Sequence, residues 1–269
     1  MKKIFFSVLI FVFSSILITD CKKDKGDAPN LPPAESLSID FSNFSSAKKS
    51  LELLPDQKGT SNSNWEFAAT VAGVWKLILT TTLALPVSAF EVATNQNPVF
   101  VSGKTWQWSY NVTYLNVTYK VRLVGQIASD IQWKMYVSKD GTDAFAEYLW
   151  IEGTSKTDGT GGTWTINQEP KTGGVFLQID WAKTDNVVGN IKYTYLKPGS
   201  FKDSYIQYGL TADPLNAFYT IHYYNGTKFS DVNVAWNTTT KNGHVKSVDF
   251  MGDANWYCWD SNRVNIVCP

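Results

Sequence analysis

The stretch TWQWSYNVTYLNVTYKVRLVGQIASDIQWKMYV, residues 105–137, alternates apolar and polar side chains at every second position. This period of two is typical of β-strands that bury one face and expose the other to water. The alternation is carried by three runs, residues 106–114, 117–123 and 131–137. The stretch therefore predicts three consecutive strands of an antiparallel sheet.

The same pattern continues towards the C-terminus, in the runs 175–181, 191–195, 219–223 and 232–236. Turn-forming pairs such as Asp140-Gly141 and Asn225-Gly226 separate the runs. A spacing of about a dozen residues per strand is the rhythm of a sandwich or barrel. We expect a mainly β fold, an up-and-down antiparallel meander of about twelve strands that curls into a barrel or half-barrel.

Upstream of the sheet, the sequence predicts one long apolar helix. Ser63 and Glu66 have the spacing of a capping box, and the helical pattern runs from Asn64 to Leu85, just before Pro86. The side chains of this helix are apolar on almost all of its faces, which is typical of a helix that is buried on most sides or that spans a membrane. A lysine near its middle would be costly in lipid. We therefore expect the helix to be buried inside the curled sheet.

Aromatic side chains are the candidates for a ligand site between this helix and the sheet. They make up 14% of the chain, which suits pleated, half-buried surfaces and also contacts with lipid or carbohydrate. If a ligand site exists, we expect it at one mouth of the barrel, where helix and sheet diverge. The residues predicted to line it are Trp75, Trp106, Trp108, Trp133 and Trp181.

A membrane β-barrel is the alternative fold, because such barrels also consist of alternating segments of about ten residues. The polar phase of the strands argues against it, because it carries charges that suit bulk water. These charges include Lys120, Arg122, Lys134, Asp180 and Lys192.

Two charged residues stand out because their positions suggest burial. Lys76 lies in the apolar helix, and Glu147 falls on the same phase as Phe145, Leu149 and Ile151. If that phase faces inward, both charges are buried in one interior and each needs a partner. The alternative is a bulge that turns Glu147 outward, with the lysine reaching to the rim of the barrel.

The N-terminus has the layout of an export signal. Lys2 and Lys3 precede an apolar run of about fifteen residues, which is too short for a membrane span. Cys21 follows, and residues 22–63 are rich in Pro, Ser and charged side chains, as expected of a tether. This layout resembles a bacterial lipoprotein signal of the Bacteroidota type. An ordinary secretory signal is the alternative, because Asp20 stands where a small residue is usual.

The resemblance implies a signal peptide at 1–20, a lipidated Cys21 with a tether over 21–63, and one domain at 64–269. Within the tether, Leu37 to Phe41 alternate and could form an edge strand that docks on the domain. The implied location is the cell envelope, as an outer-membrane lipoprotein held to the membrane by its lipid. Whether the domain faces the periplasm or the cell exterior stays open.

The two remaining cysteines form an even pair. Cys258 and Cys268 flank Asp260-Ser261-Asn262-Arg263, which predicts a turn between two short strands. Because an exported compartment permits disulfides, we expect this pair to close the C-terminal hairpin.

The sequence gives little support for catalysis. It lacks the G-x-S-x-G, H-E-x-x-H, P-loop and G-x-G-x-x-G motifs. It has two histidines, His222 and His244, which are too few and too far apart for a predicted metal site. Paired carboxylates could still hydrolyse glycosides. The candidates for that chemistry are Glu147, Glu152 and Asp180.

Charge is balanced at 24 basic and 24 acidic residues, so we expect no nucleic-acid partner and no cofactor. The predicted architecture resembles the envelope half-barrels that carry lipids or lipoproteins, a resemblance of shape over about two hundred residues without a diagnostic motif. It implies a non-catalytic envelope lipoprotein that binds an apolar ligand such as lipid between helix and sheet. The alternative is a structural or adhesive surface lipoprotein whose interior is filled by the helix, and a glycan-active enzyme comes third.

Overall fold

One antiparallel sheet dominates the protein. The computed structural model describes residues 25–44, 63–185 and 187–269, and across these residues fourteen strands pair in the order of the chain. The strands are β1 (Val99–Ser102), β2 (Thr105–Tyr114), β3 (Val117–Ile127), β4 (Ile131–Lys139), β5 (Phe145–Ser155), β6 (Gly161–Asn167), β7 (Val175–Thr184), β8 (Val187–Tyr195), β9 (Tyr205–Leu210), β10 (Ala217–Tyr224), β11 (Phe229–Trp236), β12 (Gly243–Lys246), β13 (Tyr257–Trp259) and β14 (Asn265–Ile266). The predicted antiparallel meander is confirmed.

Tight turns produce this uninterrupted meander. Between β2 and β3 the two turn residues, Leu115 and Asn116, have φ angles of 47° and 62°. Two positive φ angles in succession belong to the turn type whose twist matches that of the flanking strands. At the β10–β11 turn, the Asn225 side chain accepts hydrogen bonds from the backbone N–H groups of Thr227 and Lys228, both at 3.0 Å. Local turn chemistry therefore joins β2 to β3 and β10 to β11.

The sheet does not close into a barrel, so of the two predicted forms, barrel or half-barrel, the closed barrel is not formed. Among the described residues, the two ends of the strand order, β1 and β14, pair only with β2 and β13. The end strands are short, four and two residues, and so have few backbone groups with which to close a ring. Apolar side chains at both ends remain exposed, for example Val99 and Val267.

Cross-strand register builds a continuous apolar inner face. One row of directly paired, buried side chains crosses β2 to β7, and it consists of Trp108, Leu123, Met135, Ile151, Ile166 and Leu177. A second row crosses β6 to β11, and it consists of Trp164, Ile179, Tyr193, Ile206, Ile221 and Val232. Because successive side chains of a strand point to opposite faces of the sheet, the polar residues that alternate with these apolar residues along each strand form the outer face.

Two helices, rather than one, precede the sheet. Helix α1 (Asn64–Thr82) begins as predicted at Ser63, whose side chain accepts a hydrogen bond from the Glu66 N–H at 3.0 Å. It ends at Leu83, where the chain bends by 61° into α2 (Ala84–Ala93). The cause is Pro86, because a proline ring clashes with the carbonyl of the fourth residue before it, which is the last residue of α1. The prediction of one helix to Leu85 is therefore wrong.

Of the described helices, neither α1 nor α2 alone has the length and apolar character of a membrane span. The two helices have the length and apolar character of such a span only when they are taken together across the bend. A third helix, α3 (Val248–Met251), is a single turn between β12 and β13.

The helices cover the two ends of the inner face. Helix α1 packs mainly on β12 and β13, and α2 packs on β2. The Tyr110 hydroxyl of β2 donates to the Ala89 carbonyl of α2 at 2.7 Å. Phe90 of α2 lies with its ring centre 5.5 Å from that of Trp164 on β6.

Residues 25–44, called the N-terminal segment below, cover the middle of the inner face. The predicted edge strand is wrong, because this segment forms two 3-10 turns, Ala34–Leu37 and Ser42–Phe44. It nevertheless packs on the sheet, since Leu37, Phe41 and Phe44 are buried. Part of the sequence assigned to a tether thus contributes to the core.

Candidate functional site

The five tryptophans proposed as ligand-binding residues lie in the packed interior or at its border. Trp75 on α1, Trp108 on β2, Trp133 on β4 and Trp181 on β7 are buried, whereas Trp106 is partly buried at one end of β2. The rings of Trp108 and Trp133 are 5.8 Å apart, and the Trp133 indole donates to the Ser155 hydroxyl at 2.8 Å.

The predicted contact between the first helix and these strands is only partly present. Helix α1, which carries Trp75, packs mainly on β12 and β13, while α2 reaches β2. The bend at Pro86 is the reason, because it redirects the chain from one end of the sheet towards the other.

The N-terminal segment occupies another part of the inner face, where it contacts aromatic residues outside the predicted set of five tryptophans. The Trp164 indole donates to the Ser36 hydroxyl at 3.0 Å, and the Tyr219 hydroxyl donates to the Asp40 carbonyl. Phe44 lies against four aromatic rings, with centroid distances of 5.0 Å to Trp236, 5.6 Å to Tyr219, 6.2 Å to Trp65 and 6.5 Å to Trp259. Chain atoms rather than open space therefore meet this part of the sheet.

Burial also raises the pKa of two tyrosines of the inner face. Loss of solvation raises the pKa of Tyr193 and of Tyr219 well above the usual value, so both hydroxyls stay protonated at neutral pH. The Tyr219 hydroxyl has its hydrogen bond to the N-terminal segment. The Tyr193 hydroxyl has no hydrogen-bond partner among the described residues.

The two charges expected in one interior do not share it. Lys76 is half-buried on α1. Glu147 lies on the outer face, with 57% of its side chain exposed, so the alternative of a bulge that turns it outward applies. The reason is a bulge in β5: Val137 pairs with Tyr148 but Lys139 pairs with Phe145, which inserts one extra residue.

The carboxylates proposed for glycoside hydrolysis do not form a close pair with open access. Glu147 is engaged by the Arg122 guanidinium, whose Nε–H donates to its carboxylate at 2.8 Å. Glu152 and Asp180 are both on the outer face, but β6 lies between their strands and they are out of register by two residues. Strand spacing alone separates them by about 10 Å, beyond the range of hydrolytic pairs.

Both histidines lie on the outer face, each stacked on an aromatic ring. His222 stacks on Phe229 with 4.6 Å between ring centres, and its Nδ1 is 2.7 Å from the Asp231 carboxylate. His244 stacks on Trp256 at 3.8 Å, and burial together with the charge of Lys246 lowers its pKa. Among the described residues no group of three or more His, Cys, Asp or Glu side chains could hold a metal ion.

The cysteine prediction is confirmed. Cys258 and Cys268 form a disulfide with their Cα atoms 5.2 Å apart. The turn between β13 and β14 is held by the Asp260 carboxylate, which accepts from the N–H groups of Asn262 and Val264, both at 2.9 Å. Cys21, the predicted lipidation site, lies outside the described residues.

Two open depressions lie on the outer face. One, about 390 Å³ in volume, lies over β5 to β8, with a side-chain lining that includes Asp130, Thr154, Lys156, Thr163, Asp180 and Asn190. Gly161 is needed beside it, because a Cβ atom there would lie 2.9 Å from the Trp181 carbonyl oxygen.

The second depression, called the Arg122 depression below, is about 430 Å³ in volume and lies over β2 to β5. Its lining residues are Ser109, Tyr110, Asn111, Lys120, Val121, Arg122, Ser138 and Glu147. Cross-strand pairing sets its floor: Ser109 faces Arg122, and Asn111 and Ser138 both face Lys120. This site was not predicted from the sequence. Its one signal there was Glu147, a charged residue in the same alternation as Phe145, Leu149 and Ile151, which indicates that a bulge turns its carboxylate to the other face.

Comparison with known proteins adds no assignment, since no family model, curated protein or solved structure matches this chain.

Proposed function

We propose that this chain is a non-catalytic lipoprotein of the cell envelope that acts as a structural or adhesive module. Its export signal, Cys21 and the following polar stretch support a lipid anchor at the outer membrane. The proposal includes a sheet that curls around its own helices as a half-barrel. In this proposal, the outer face of the sheet is the surface that contacts other molecules.

The filled inner face is the observation that carries this proposal. A carrier of acyl chains needs an apolar cavity of several hundred Å³. Here α1, α2 and the N-terminal segment pack on the inner face of the sheet, and both depressions named above open on the outer face. Interiors packed to native density leave no space of ligand size.

A carrier of an apolar ligand is the second candidate, because one observation favours it. The Trp181 indole and the Tyr193 hydroxyl are buried on neighbouring strands without hydrogen-bond partners among the described residues. Unpaired buried polar groups are costly, and a lipid head group between helix and sheet would relieve that cost.

Replacement of Cys21 by Ser tests the anchor. The variant is expected to leave the membrane fraction, because a single-site anchor provides all of the membrane affinity in the proposal. Replacement of Ser15 by Ala, within the apolar part of the signal, is the matched control and should remain in the membrane fraction. Membrane retention of the Cys21→Ser protein would contradict the proposal.

Labelling of intact cells tests the adhesive role. A membrane-impermeant amine reagent should modify Lys120 and Lys134 on the outer face if the domain faces the cell exterior. Protection of these lysines in intact cells, with labelling after the outer membrane is opened, would assign the domain to the periplasm and leave only the structural role.

A further inference from the structure

We propose that the Arg122 depression binds a neutral polyhydroxylated ligand, a segment of a carbohydrate chain. The inference rests on the proposed adhesive function and gives that function a ligand class and a site. Four features of the site carry it: the backbone of Glu147, the fixed guanidinium, the charge balance and the mixture of donors and acceptors.

Glu147 has a backbone conformation that glycine would adopt more easily. Its φ angle is +48°, in the left-handed region that side chains other than Gly, Asn and Asp rarely occupy. The Ser138 hydroxyl accepts a hydrogen bond from its N–H at 2.9 Å and so fixes the bulge. Strain of this kind is concentrated at binding sites, where it aims a side chain. Here it aims a carboxylate at Arg122.

Arg122 is held in place before any ligand arrives. Its guanidinium lies 4.1 Å from the ring centre of Tyr136, and the Glu147 carboxylate accepts from its Nε and one Nη. A guanidinium has N–H donors beyond these two. Since the group is already ordered, a ligand that accepts from the remaining donors loses little side-chain freedom on binding.

The charges of the site cancel. Of the charged lining residues, Arg122 is paired with Glu147, and Lys120 lies 2.7 Å from the carboxylate of Asp140, which is next to the lining, so each cation has an anion beside it. An anionic ligand would therefore meet two cations that are already neutralised. An apolar ligand would have to remove water from the three lining ions without replacing their hydrogen bonds. The balance favours a neutral, polar ligand.

The lining offers donors and acceptors side by side. The hydroxyls of Ser109 and Ser138 can do both, the Asn111 amide has one group of each kind, and the ion pairs add strong donors and acceptors. A sugar hydroxyl also donates and accepts at once, so neighbouring hydroxyls match this pattern. A volume of about 430 Å³ lies in the range of small-molecule sites.

The test is affinity electrophoresis of the exported chain carrying Cys21→Ser, in native gels cast with one polysaccharide each. The neutral probes are dextran, laminarin, xyloglucan and mannan, and polygalacturonate is the anionic probe. At least one neutral probe should slow the protein, and polygalacturonate should not slow it more. Failure of all four neutral probes, or preference for polygalacturonate, would overturn the proposed ligand class.

Two variants locate the binding. Glu147→Gly should fold normally, because it relieves the left-handed backbone, and yet should weaken binding about tenfold or more through loss of the carboxylate. Arg122→Gln should weaken it similarly. The matched control is Asp249→Asn, which weakens the ion pair with Lys228 elsewhere on the protein and should bind like the wild type.

Equal binding by the wild type and Glu147→Gly would overturn the site, while the adhesive function would stand on some other surface. Conversely, bound lipid recovered from the purified protein would contradict the adhesive function without affecting the gel result. The two failures are therefore distinguishable.

Discussion

Replacement of Phe44 by Ala should release the N-terminal segment from the inner face of the sheet. The Phe44 ring is 3% exposed and lies within 5.0 to 6.5 Å of the rings of Trp236, Tyr219, Trp65 and Trp259. An alanine would leave these four rings without their common neighbour. The substitution therefore measures how strongly the segment is bound to the sheet.

The expected loss follows from the size of the emptied site. Buried Phe→Ala substitutions cost about 3–5 kcal/mol, a figure that includes the aromatic contacts of about 0.5–1.5 kcal/mol each. Because neighbouring side chains can move partly into the emptied site, we expect the lower part of this range, about 3–4 kcal/mol. For a domain of this size that corresponds to a fall in melting temperature of roughly 6–16 °C.

Urea unfolding followed by tryptophan emission is the assay, because three of the aromatic neighbours of Phe44 are tryptophans. Phe201→Ala is the matched control: its ring is 56% exposed, so its loss should cost less than about 1 kcal/mol. If Phe44→Ala destabilises the protein no more than Phe201→Ala does, the segment is not part of the core and the inner face is open to a ligand.

The remaining predictions concern the interior, the C-terminal hairpin and pH. Tyr219→Phe should lower the unfolding free energy by about 1 kcal/mol, because it removes the hydrogen bond to the N-terminal segment. Tyr193→Phe should be neutral or stabilising, because it removes a hydroxyl without a hydrogen-bond partner among the described residues. Equal losses of unfolding free energy in urea titrations of the two variants would refute this contrast. Reduction of the Cys258–Cys268 disulfide, or its replacement by two alanines, should cost about 2–3 kcal/mol, and unchanged thermal stability would count against it. Because the pKa of His244 is lowered in the folded protein, the unfolded chain binds a proton first as the pH falls below about 6.5, so stability should decrease from there down to the folded pKa. His244→Gln should reduce that pH dependence, and an identical slope in the variant would contradict the assignment.

Sequence patterns predicted the sheet well because its strands are long and one-sided. The alternation from Trp106 to Val137 marks β2, β3 and β4, since a half-buried strand shows its facing directly. The short strands at the two ends of the sheet, β1 and β14, could not be predicted in this way, because two to four residues carry no period. Closure could not be inferred either, since it depends on whether these end strands meet.

The parts that sequence reasoning missed lack periodic signals. The N-terminal segment is rich in proline and forms 3-10 turns, so its buried Leu37 and Phe44 do not recur at helical or strand spacing. The bend at Leu83 lies three residues before Pro86, whereas the sequence pattern predicts a single helix that ends just before Pro86. The Arg122 depression depends on a one-residue bulge in β5, which shows in sequence only as the wrong phase of Glu147.

Mass spectrometry of the purified protein tests the central claim most directly, that the chain itself fills the inner face of its sheet. The exported Cys21→Ser protein, purified without detergent, would be examined under native conditions and, in parallel, after lipid extraction. We expect the native mass to equal that of the polypeptide, with less than about one-tenth of a molar equivalent of acyl lipid in the extract. A native mass that includes one equivalent of lipid, recovered in the extract, would contradict the filled interior and establish the protein as a carrier.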